Sequence, residues 1–280
     1  GQTTSSTIAF GARRNTESPT LADYRLRPDR DLAVLIPARG GSKRILRKNT
    51  RLLRGKPLIA YTIEAALSAN VAQIIVSTDD PHAAHIAKSY GVEVHDRKPE
   101  HATDDAPDIL WVLDVLTRHW PCPDHKAYIA ILRPTSPFRT ASTIRRAYAA
   151  LVGSGAHSIR AVERVIHPHP GKMWRFTDSK LMEPVLTGEI NGAPYHSSPT
   201  QSLPAVYMQN ASLEMAQTAM VLATKSSSGY RIAPFLTDAL EGFDINDVAD
   251  LERAEQLLAD REGAGHGPAP HWNSGGDREL

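Results

Sequence analysis

Arg39, Lys43, Arg44, Arg47 and Lys48 place five cationic side chains within ten residues. Between the first two lies Gly40-Gly41-Ser42, a turn with no side-chain bulk at its centre. Glycine lets the backbone pass close to a ligand, and the N–H groups of Gly40, Gly41 and Ser42 can point inward at an anion. Guanidinium and ammonium groups on both sides of such a turn suit a polyphosphate. A glycine turn alone would read as an ordinary loop with a solvated basic face. The apolar run 34–38 before it, the turn and the dense cations together favour a triphosphate site.

Other polar clusters carry weaker signals. Asp79-Asp80-Pro81 either caps a helix or joins a site, because Asp before Pro at a first helical position satisfies free N–H groups. His167 and His169 have metal-like spacing, but no further ligand set accompanies them, so a structural or surface role is the better reading. Lys56 at a helix start reads as a surface residue. Asp250 reads as a cap for the last helix. Trp111 and Trp120 read as packing residues.

These groups need a scaffold, and the pattern supplies one. Residues 32–38 form a short apolar run, expected as the first strand. Leu58–Ser68 has helical apolar spacing behind Lys56-Pro57. Strands are expected at 73–77, 92–95 and 128–132, with helices starting at Pro81, at Asp108 and at Ala141. Such a βαβαβα rhythm predicts a doubly wound, mostly parallel α/β sheet. Ligands bind such sheets outside the carboxyl ends of the strands. The turns 39–49, 77–81, 96–104 and 133–139 all carry charged or hydroxyl residues and form the expected polar rim. The rhythm changes near Ser154. Residues 158–206, rich in Pro, His, Gly and Ser, read as an antiparallel arm or subunit contact. The α/β pattern is expected to return at 211–222 and to end in a helix over 247–260.

The 280 residues suffice for one large α/β domain over 31–261, and the formal net charge of +1 argues against a general nucleic-acid binder. Cys122 is the only cysteine, which excludes a disulfide within the chain and a cysteine-based zinc site and fits a reducing, cytoplasmic compartment. No apolar run approaches membrane-spanning length, and the start lacks the apolar core of a signal peptide. Residues 1–30 and 262–280 lack periodicity and are expected to be disordered tails.

Several motifs occur in a fixed order: Ile36-Pro-Ala-Arg-Gly-Gly-Ser-Lys43 with Lys48-Asn49, Gly55-Lys-Pro-Leu-Ile-Ala-Tyr-Thr-Ile63, Ile75-Val-Ser-Thr-Asp-Asp80, Arg97-Lys-Pro-Glu100 with Ala102-Thr-Asp104, and Leu132-Arg-Pro-Thr-Ser-Pro-Phe-Arg139. His167-Pro168 with Lys172, Gln201 to Asn210, and Asp244-Ile-Asn-Asp-Val-Ala-Asp250 complete the series. Together they resemble the acylneuraminate cytidylyltransferases, over roughly residues 31–261. Chance matches do not keep order and spacing over so many blocks.

The resemblance implies a nucleotide-diphospho-sugar transferase-like α/β fold with a small protruding dimerisation element. It implies a homodimer whose arm, within 158–206, brings Lys172 near the partner's sugar pocket. It implies that the anomeric hydroxyl of a sialic-acid-like 3-deoxy-2-ulosonic acid attacks the α-phosphate of CTP, with Mg2+ required. In-line displacement at phosphorus needs positioning and charge neutralisation more than covalent help. Arg39, Lys43 and Lys48 take the catalytic places. Gly40, Gly41, Ser42, Asn49, Arg97, Arg133, Thr135, Ser136, Lys172, Gln201 and Asn210 take the substrate-binding places, and Asp244 and Asn246 the metal places.

The chain departs from the family pattern on the acceptor side. Asn246 replaces a frequent Asp, Arg133 a frequent Gln, Thr200 and Met208 stand for arginines, and Ala211 stands for Gly. An amide oxygen binds magnesium less well than a carboxylate. CTP is therefore a firmer expectation than sialic acid. The alternatives are transfer of CMP to a phosphonate or other acidic metabolite, and a weakly catalytic nucleotide-binding homologue. A sugar-1-phosphate nucleotidyltransferase would carry a Gly-x-Gly-Thr-Arg type loop, and a dehydrogenase Gly-x-Gly-x-x-Gly; neither is present.

Overall fold

Leu32-Ala-Val-Leu-Ile-Pro37 offers no polar side chain to water, and it forms β1 (Leu32–Pro37), the inner strand on which the fold is assembled. The computed structural model describes residues 27–119 and 127–263. Trp120, Cys122 and the expected tails over 1–26 and 264–280 lie outside the described residues. The remaining main strands are β2 (Gln73–Thr78), β3 (Glu93–Asp96), β4 (Tyr128–Ile131), β5 (Ser158–Val165), β6 (Val206–Gln217) and β7 (Ile232–Leu236). They make one seven-stranded sheet in the order β7-β5-β6-β4-β1-β2-β3. Strands β1, β2, β3 and β4 pair in parallel, β7 runs parallel to β5, and β6 is antiparallel to both β4 and β5. This is the doubly wound, mostly parallel sheet that the rhythm predicts.

Helices cover both faces. Alternation along β1 sends Leu32, Val34 and Ile36 into one core and Ala33 and Leu35 into the other. The first core is closed by α1 (Leu58–Ser68), α2 (Pro81–Ser89) and α4 (Ala141–Ser154). The second is closed by α3 (Asp108–His119), through Trp111, Val112, Val115 and Leu116, and by α5 (Thr218–Thr224) through Met220 and Val221. A third cluster seats α6 (Val248–Gly263): Leu251 and Ala254 pack with Ile45, Leu53, Phe138 and Ile245. Full burial of a large aliphatic side chain contributes about 1.5–3 kcal/mol, so this small cluster anchors the loop after β1 to the C-terminal helix.

Local signals set the helix ends. The Asp80 carboxylate accepts from the His82 N–H at 2.9 Å, with Pro81 at the first position of α2. Thr140 and Thr143 form a reciprocal capping box at α4, which stops at Gly155 with φ +60°.

Two expectations need correction. Residues 28–30 were expected within a loose tail, but Pro28–Asp31 forms a helical turn leading into β1. The arm was expected from residue 158, but β5 is an interior strand with Ser158, Ile159 and Ala161 buried, so the irregular excursion is confined to 166–205. Its only strands are two-residue and three-residue ribbons such as Trp174–Phe176 with Met182–Pro184. The sheet also gains β7, an edge strand that no sequence expectation provides for.

Candidate active site

The loops after β1 and β4 meet the turn before α6 at one rim of the sheet. They enclose a cavity of about 500 Å³ lined by Arg39, Ser42, Lys43, Arg44, Lys48, Asn49, Arg97, Arg133, Thr135, Asp244 and Asn246, among others. A neighbouring cavity of about 600 Å³ shares Arg133, Ala211, Asp244 and Asn246 with the first and adds Glu163, Met208, Asn210 and Glu214. Two chambers thus share one wall.

The cations of the first cavity are held by protein acceptors. Asp104 lies 2.6 Å from Arg39 Nη1 through one oxygen and pairs with Lys43 Nζ through the other. Those hydrogen bonds, from Lys43 first and Arg39 second, hold the Asp104 carboxyl below the usual range. Arg39 Nη1 also reaches the Ala102 carbonyl at 3.3 Å. Lys48 Nζ donates to the Ile245 carbonyl at 3.0 Å. Burial lowers the Lys48 pKa, Asp244 opposes that, and Arg44 and Arg39 add to it. Buried Asn49 donates to the Arg39 carbonyl at 3.0 Å and so fixes the turn. Arg47 does not join this group; it lies in a separate groove with His82 and His85.

The backbone cradle differs from expectation. The Gly40 N–H donates to Asp79 Oδ1 at 2.8 Å and the Ser42 N–H to the Gly40 carbonyl at 2.9 Å. Of the three expected anion donors, only the Gly41 N–H is without a partner among the described residues, and neither glycine lines the cavity. The side chains therefore carry the cationic character. A Cβ on Gly40 would sit 3.3 Å from Asp80 Cβ, so glycine here serves the close approach of two loops. Asp79 and Asp80 divide the two roles read for them: Asp80 caps α2 while Asp79 braces the glycine turn.

Behind the cations runs a charged ladder. Arg133 Nη2 donates to Asp108 Oδ2 at 2.7 Å and to Glu214 Oε1 at 2.8 Å, and Glu214 also pairs with Arg160. Burial pushes the Asp108 carboxyl up, but the Arg133 charge and the Trp111 indole N–H hold it below the ordinary value overall. Arg97 is buried, its Nε donating to Ser77 Oγ at 3.0 Å and its guanidinium stacked 4.6 Å from the Trp111 ring. Burial lowers its pKa to about 10. Arg139, wholly buried, donates to the Ser212 carbonyl, to Thr62 Oγ1 at 2.9 Å and to the Arg133 carbonyl at 3.1 Å. It holds the loop after β4 in shape. Burial, largest, and Arg133 lower its pKa to about 9. The Thr135 carbonyl accepts from the Ile245 N–H at 2.9 Å, which joins that loop to the segment of Asp244.

Asp244 Oδ1 is buried and has no hydrogen-bond partner among the described residues. Asp244 lines both chambers, and a carboxylate with an uncommitted oxygen there fits a hard cation such as magnesium. Asn246 stands beside it, its Nδ2 donating to the Asp244 carbonyl at 3.4 Å. Asp247 and Asp250 are committed elsewhere: Asp250 N–H donates to Asp247 Oδ1 at 3.0 Å, and Asp250 Oδ2 accepts from the N–H groups of Asn246 and Asp247. That reciprocal pair opens α6, as read for Asp250. Among the described residues no three His, Cys, Asp or Glu side chains cluster as a metal cage, so an ion at Asp244 would take most of its ligands from phosphate and water.

Not every expected residue joins the site. Asn210 lines the second cavity and donates to Thr237 Oγ1 at 2.8 Å. Ser136 is buried outside both linings. Lys172 donates to the carbonyls of His196, at 2.9 Å, and Ser198, within the excursion. Gln201 is exposed on a 3-10 turn, away from both cavities. His169 is structural: its Nδ1 accepts from the Gly171 N–H and its Nε2 is 3.0 Å from the Pro204 carbonyl. Lys56 pairs with Glu64 at 2.6 Å. The residues that sequence reasoning left without a role are acidic: Asp104, Asp108, Glu163 and Glu214. Their signal is spatial, because each acts across tens of residues, and only the position of Asp104 inside a motif block hinted at it.

A cytidylyltransferase family model matches residues 33–170. Over 233 residues, 81% of this chain and 96% of the relative, the sequence is 34% identical to CMP-N,N'-diacetyllegionaminic acid synthase of Legionella pneumophila. It is 41% identical over 114 residues to N-acylneuraminate cytidylyltransferase of Escherichia coli, covering 40% of this chain and 26% of that one. A solved structure, CMP:2-keto-3-deoxy-manno-octonic acid synthetase complexed with CTP, aligns with a TM-score of 0.60 over 82% of this chain and 99% of that chain. Its identity of 17% makes this a likeness of fold alone. The order of the motifs, the paired cavities and the near-complete match to the legionaminic acid synthase lead to one conclusion: the chain belongs to the acylneuraminate cytidylyltransferase (CMP-sialic acid synthetase) family.

Proposed function

We propose that the protein transfers CMP from CTP to the anomeric hydroxyl of a sialic-acid-like 3-deoxy-2-ulosonic acid, with release of pyrophosphate. The observation that carries this reading is the shared wall: Arg133, Ala211, Asp244 and Asn246 line both chambers. A triphosphate among Arg39, Lys43 and Lys48 and a sugar acid in the second chamber would meet at that wall. There the three cations would neutralise charge that develops on the α-phosphate and the leaving pyrophosphate. Asp244, with Asn246, would hold Mg2+, which supplies charge neutralisation and orientation of phosphate oxygens when bound.

The excursion supports a homodimer. Ile166, Phe176, Leu181, Met182 and Tyr207 are exposed on and beside it, a concentration of apolar side chains that suits burial against a second copy. In that assembly Lys172 and Gln201 would lie by the partner's acceptor chamber. Among the described residues no helix is long and apolar enough to cross a membrane. The single cysteine fits a reducing compartment, and we place the reaction in the cytoplasm.

The test is pyrophosphate release with CTP, ATP, GTP and UTP over neuraminic, legionaminic, pseudaminic and octulosonic acids and a phosphonate panel. CTP is expected to lead with one of the nine-carbon acids. Equal turnover of UTP or GTP overturns the nucleotide assignment, and a phosphonate as best acceptor overturns the sugar-acid assignment.

A further inference from the structure

A chain of four hydrogen-bonded side chains ends at Arg97 in the first cavity. Arg97 Nε lies 3.0 Å from Ser77 Oγ, Ser77 Oγ lies 3.0 Å from His95 Nδ1, and His95 Nε2 lies 3.0 Å from Asp114 Oδ2. Relative exposure is 0% for Ser77, 1% for His95 and 4% for Arg97, so water does not substitute for the two links that Ser77 makes. Serine, histidine and aspartate in this order suggest a hydrolytic triad. Ser77 is sealed between Arg97 and His95, however, and has no open face for a substrate.

The proton inventory starts from the two ends. Arginine Nε–H only donates, so Ser77 Oγ accepts from it, and the Asp114 carboxylate only accepts, so the ring proton of His95 sits on Nε2. In the neutral ring Nδ1 is then bare and accepts the single hydroxyl proton of Ser77. We propose that His95 is a positioning residue for Arg97, acting through Ser77 to hold the guanidinium against the nucleotide cavity, and that acid releases this hold.

A proton arriving at Nδ1 turns His95 into a donor on both sides. Ser77 would then face two donors while its own proton, fully buried, has no acceptor. The surroundings keep the ring neutral. Burial lowers the His95 pKa first of all; Asp114 opposes this, and His119, edge-on at 5.5 Å, and Arg118 add to it. Asp114 is itself shared with Lys98 at 3.1 Å and Arg118 at 3.3 Å, and His119 leans on Glu93 at 2.5 Å.

The proposal rests on the reading of the first cavity as the CTP site. Its test is CTP binding by titration calorimetry, with steady-state kinetics, from about pH 5.5 to 8.5 for the wild type, Ser77→Ala and His95→Gln. Ser77→Ala is expected to raise Kd and KM for CTP about tenfold while kcat moves less than about threefold. The terminal phosphate of CTP also titrates near pH 6. His95→Gln keeps that contribution but has no ring to protonate, so its loss of affinity below about pH 6.5 is expected to be shallower than that of the wild type. Nitrogen-15 NMR of the imidazoles supplies a check that needs neither variant nor nucleotide: His95 is expected as the neutral tautomer protonated on Nε2. Wild-type CTP affinity in Ser77→Ala, coincident pH profiles for wild type and His95→Gln, or a proton on Nδ1 at neutral pH each overturn the positioning role. A wild type that binds no CTP at any pH overturns the nucleotide reading instead.

Discussion

Lys48 donates its ammonium to the main-chain carbonyl of Ile245 across 3.0 Å, which ties the cationic loop after β1 to the segment that carries Asp244 and Asn246. In the function proposed above, a single side chain therefore serves both the triphosphate end and the metal end of the site. Lys48→Ala is expected to lower kcat/KM for CTP by about 100- to 1000-fold, the range for one lost preorganised contact. Unfolding stability should change by only about 1 kcal/mol, since one hydrogen bond of a half-buried group is lost. Pyrophosphate-release kinetics and urea unfolding measure the two effects. Normal turnover would place the triphosphate elsewhere.

Asp104 pairs with Arg39 and Lys43, two of the three cations proposed to hold the triphosphate. An incoming nucleotide must exchange with that carboxylate, so Asp104→Asn should tighten CTP binding at low salt by about threefold to tenfold. The sign of its pH dependence follows from its lowered pKa. The ion pairs are complete above the ordinary carboxylate range and are lost only as pH falls through the depressed folded value, so the exchange persists across the neutral range. Calorimetric titration of both forms decides the point, and weaker binding by the variant would show that Asp104 positions the cations instead of competing for them.

The bare Asp244 oxygen and its amide neighbour set the metal prediction. Asp244→Asn should nearly abolish activity. Asn246→Asp adds a carboxylate and should lower the magnesium concentration that gives half-maximal rate. Initial rates against magnesium for the three proteins measure this. Retention of most activity by Asp244→Asn would remove the metal from this position.

Arg139 is a stability prediction. It is wholly buried and serves the carbonyls of Ser212 and Arg133 and the Thr62 hydroxyl. Arg139→Met strips donors from these acceptors, and a buried orphan costs about 1–3 kcal/mol, so a total loss on the order of 3 kcal/mol is expected in denaturant unfolding. A loss under about 1 kcal/mol would mean that water or a shifted loop replaces it.

Assembly is tested on the excursion. Phe176→Asp with Met182→Asp introduces charge where apolar side chains are exposed, and light scattering at micromolar concentration should report monomers for the variant and dimers for the wild type. In the proposed assembly activity should fall with the dimer, because Lys172 and Gln201 would no longer lie by a partner's acceptor chamber. A monomeric, fully active wild type would refute this assembly.

What was legible in the chain follows from how local each signal is. β1 reads as a buried strand because both of its faces are apolar, and α2 announces itself by Asp80-Pro81. β5 was read as part of the arm and not as an interior strand: Arg160, Glu163 and Arg164 give it the polarity of a surface ribbon, and only the fold shows Arg160 neutralised by Glu214. β7 carries Pro234, which demotes a run in sequence, yet an edge strand tolerates it. In the site, the cations were legible because they cluster in sequence. Their carboxylate partners were not, since Asp104 meets Arg39 and Glu214 meets Arg133 only through the topology of the sheet. The free backbone cradle was misjudged for the same reason, because Asp79 arrives from the end of another strand.

The pairing of β6 with β5 shifts register between Gln209 and Glu214, and the residues inside that interruption include Asn210 and Ala211 of the acceptor chamber. Rungs of the sheet resume on either side of them. Side chains at these positions can be exchanged over generations without disturbing the pairing that defines the fold. A change of acceptor can therefore fall on Asn210 and Ala211 without disturbing a paired rung, whereas Met208 sits on a rung of its own, opposite Glu163.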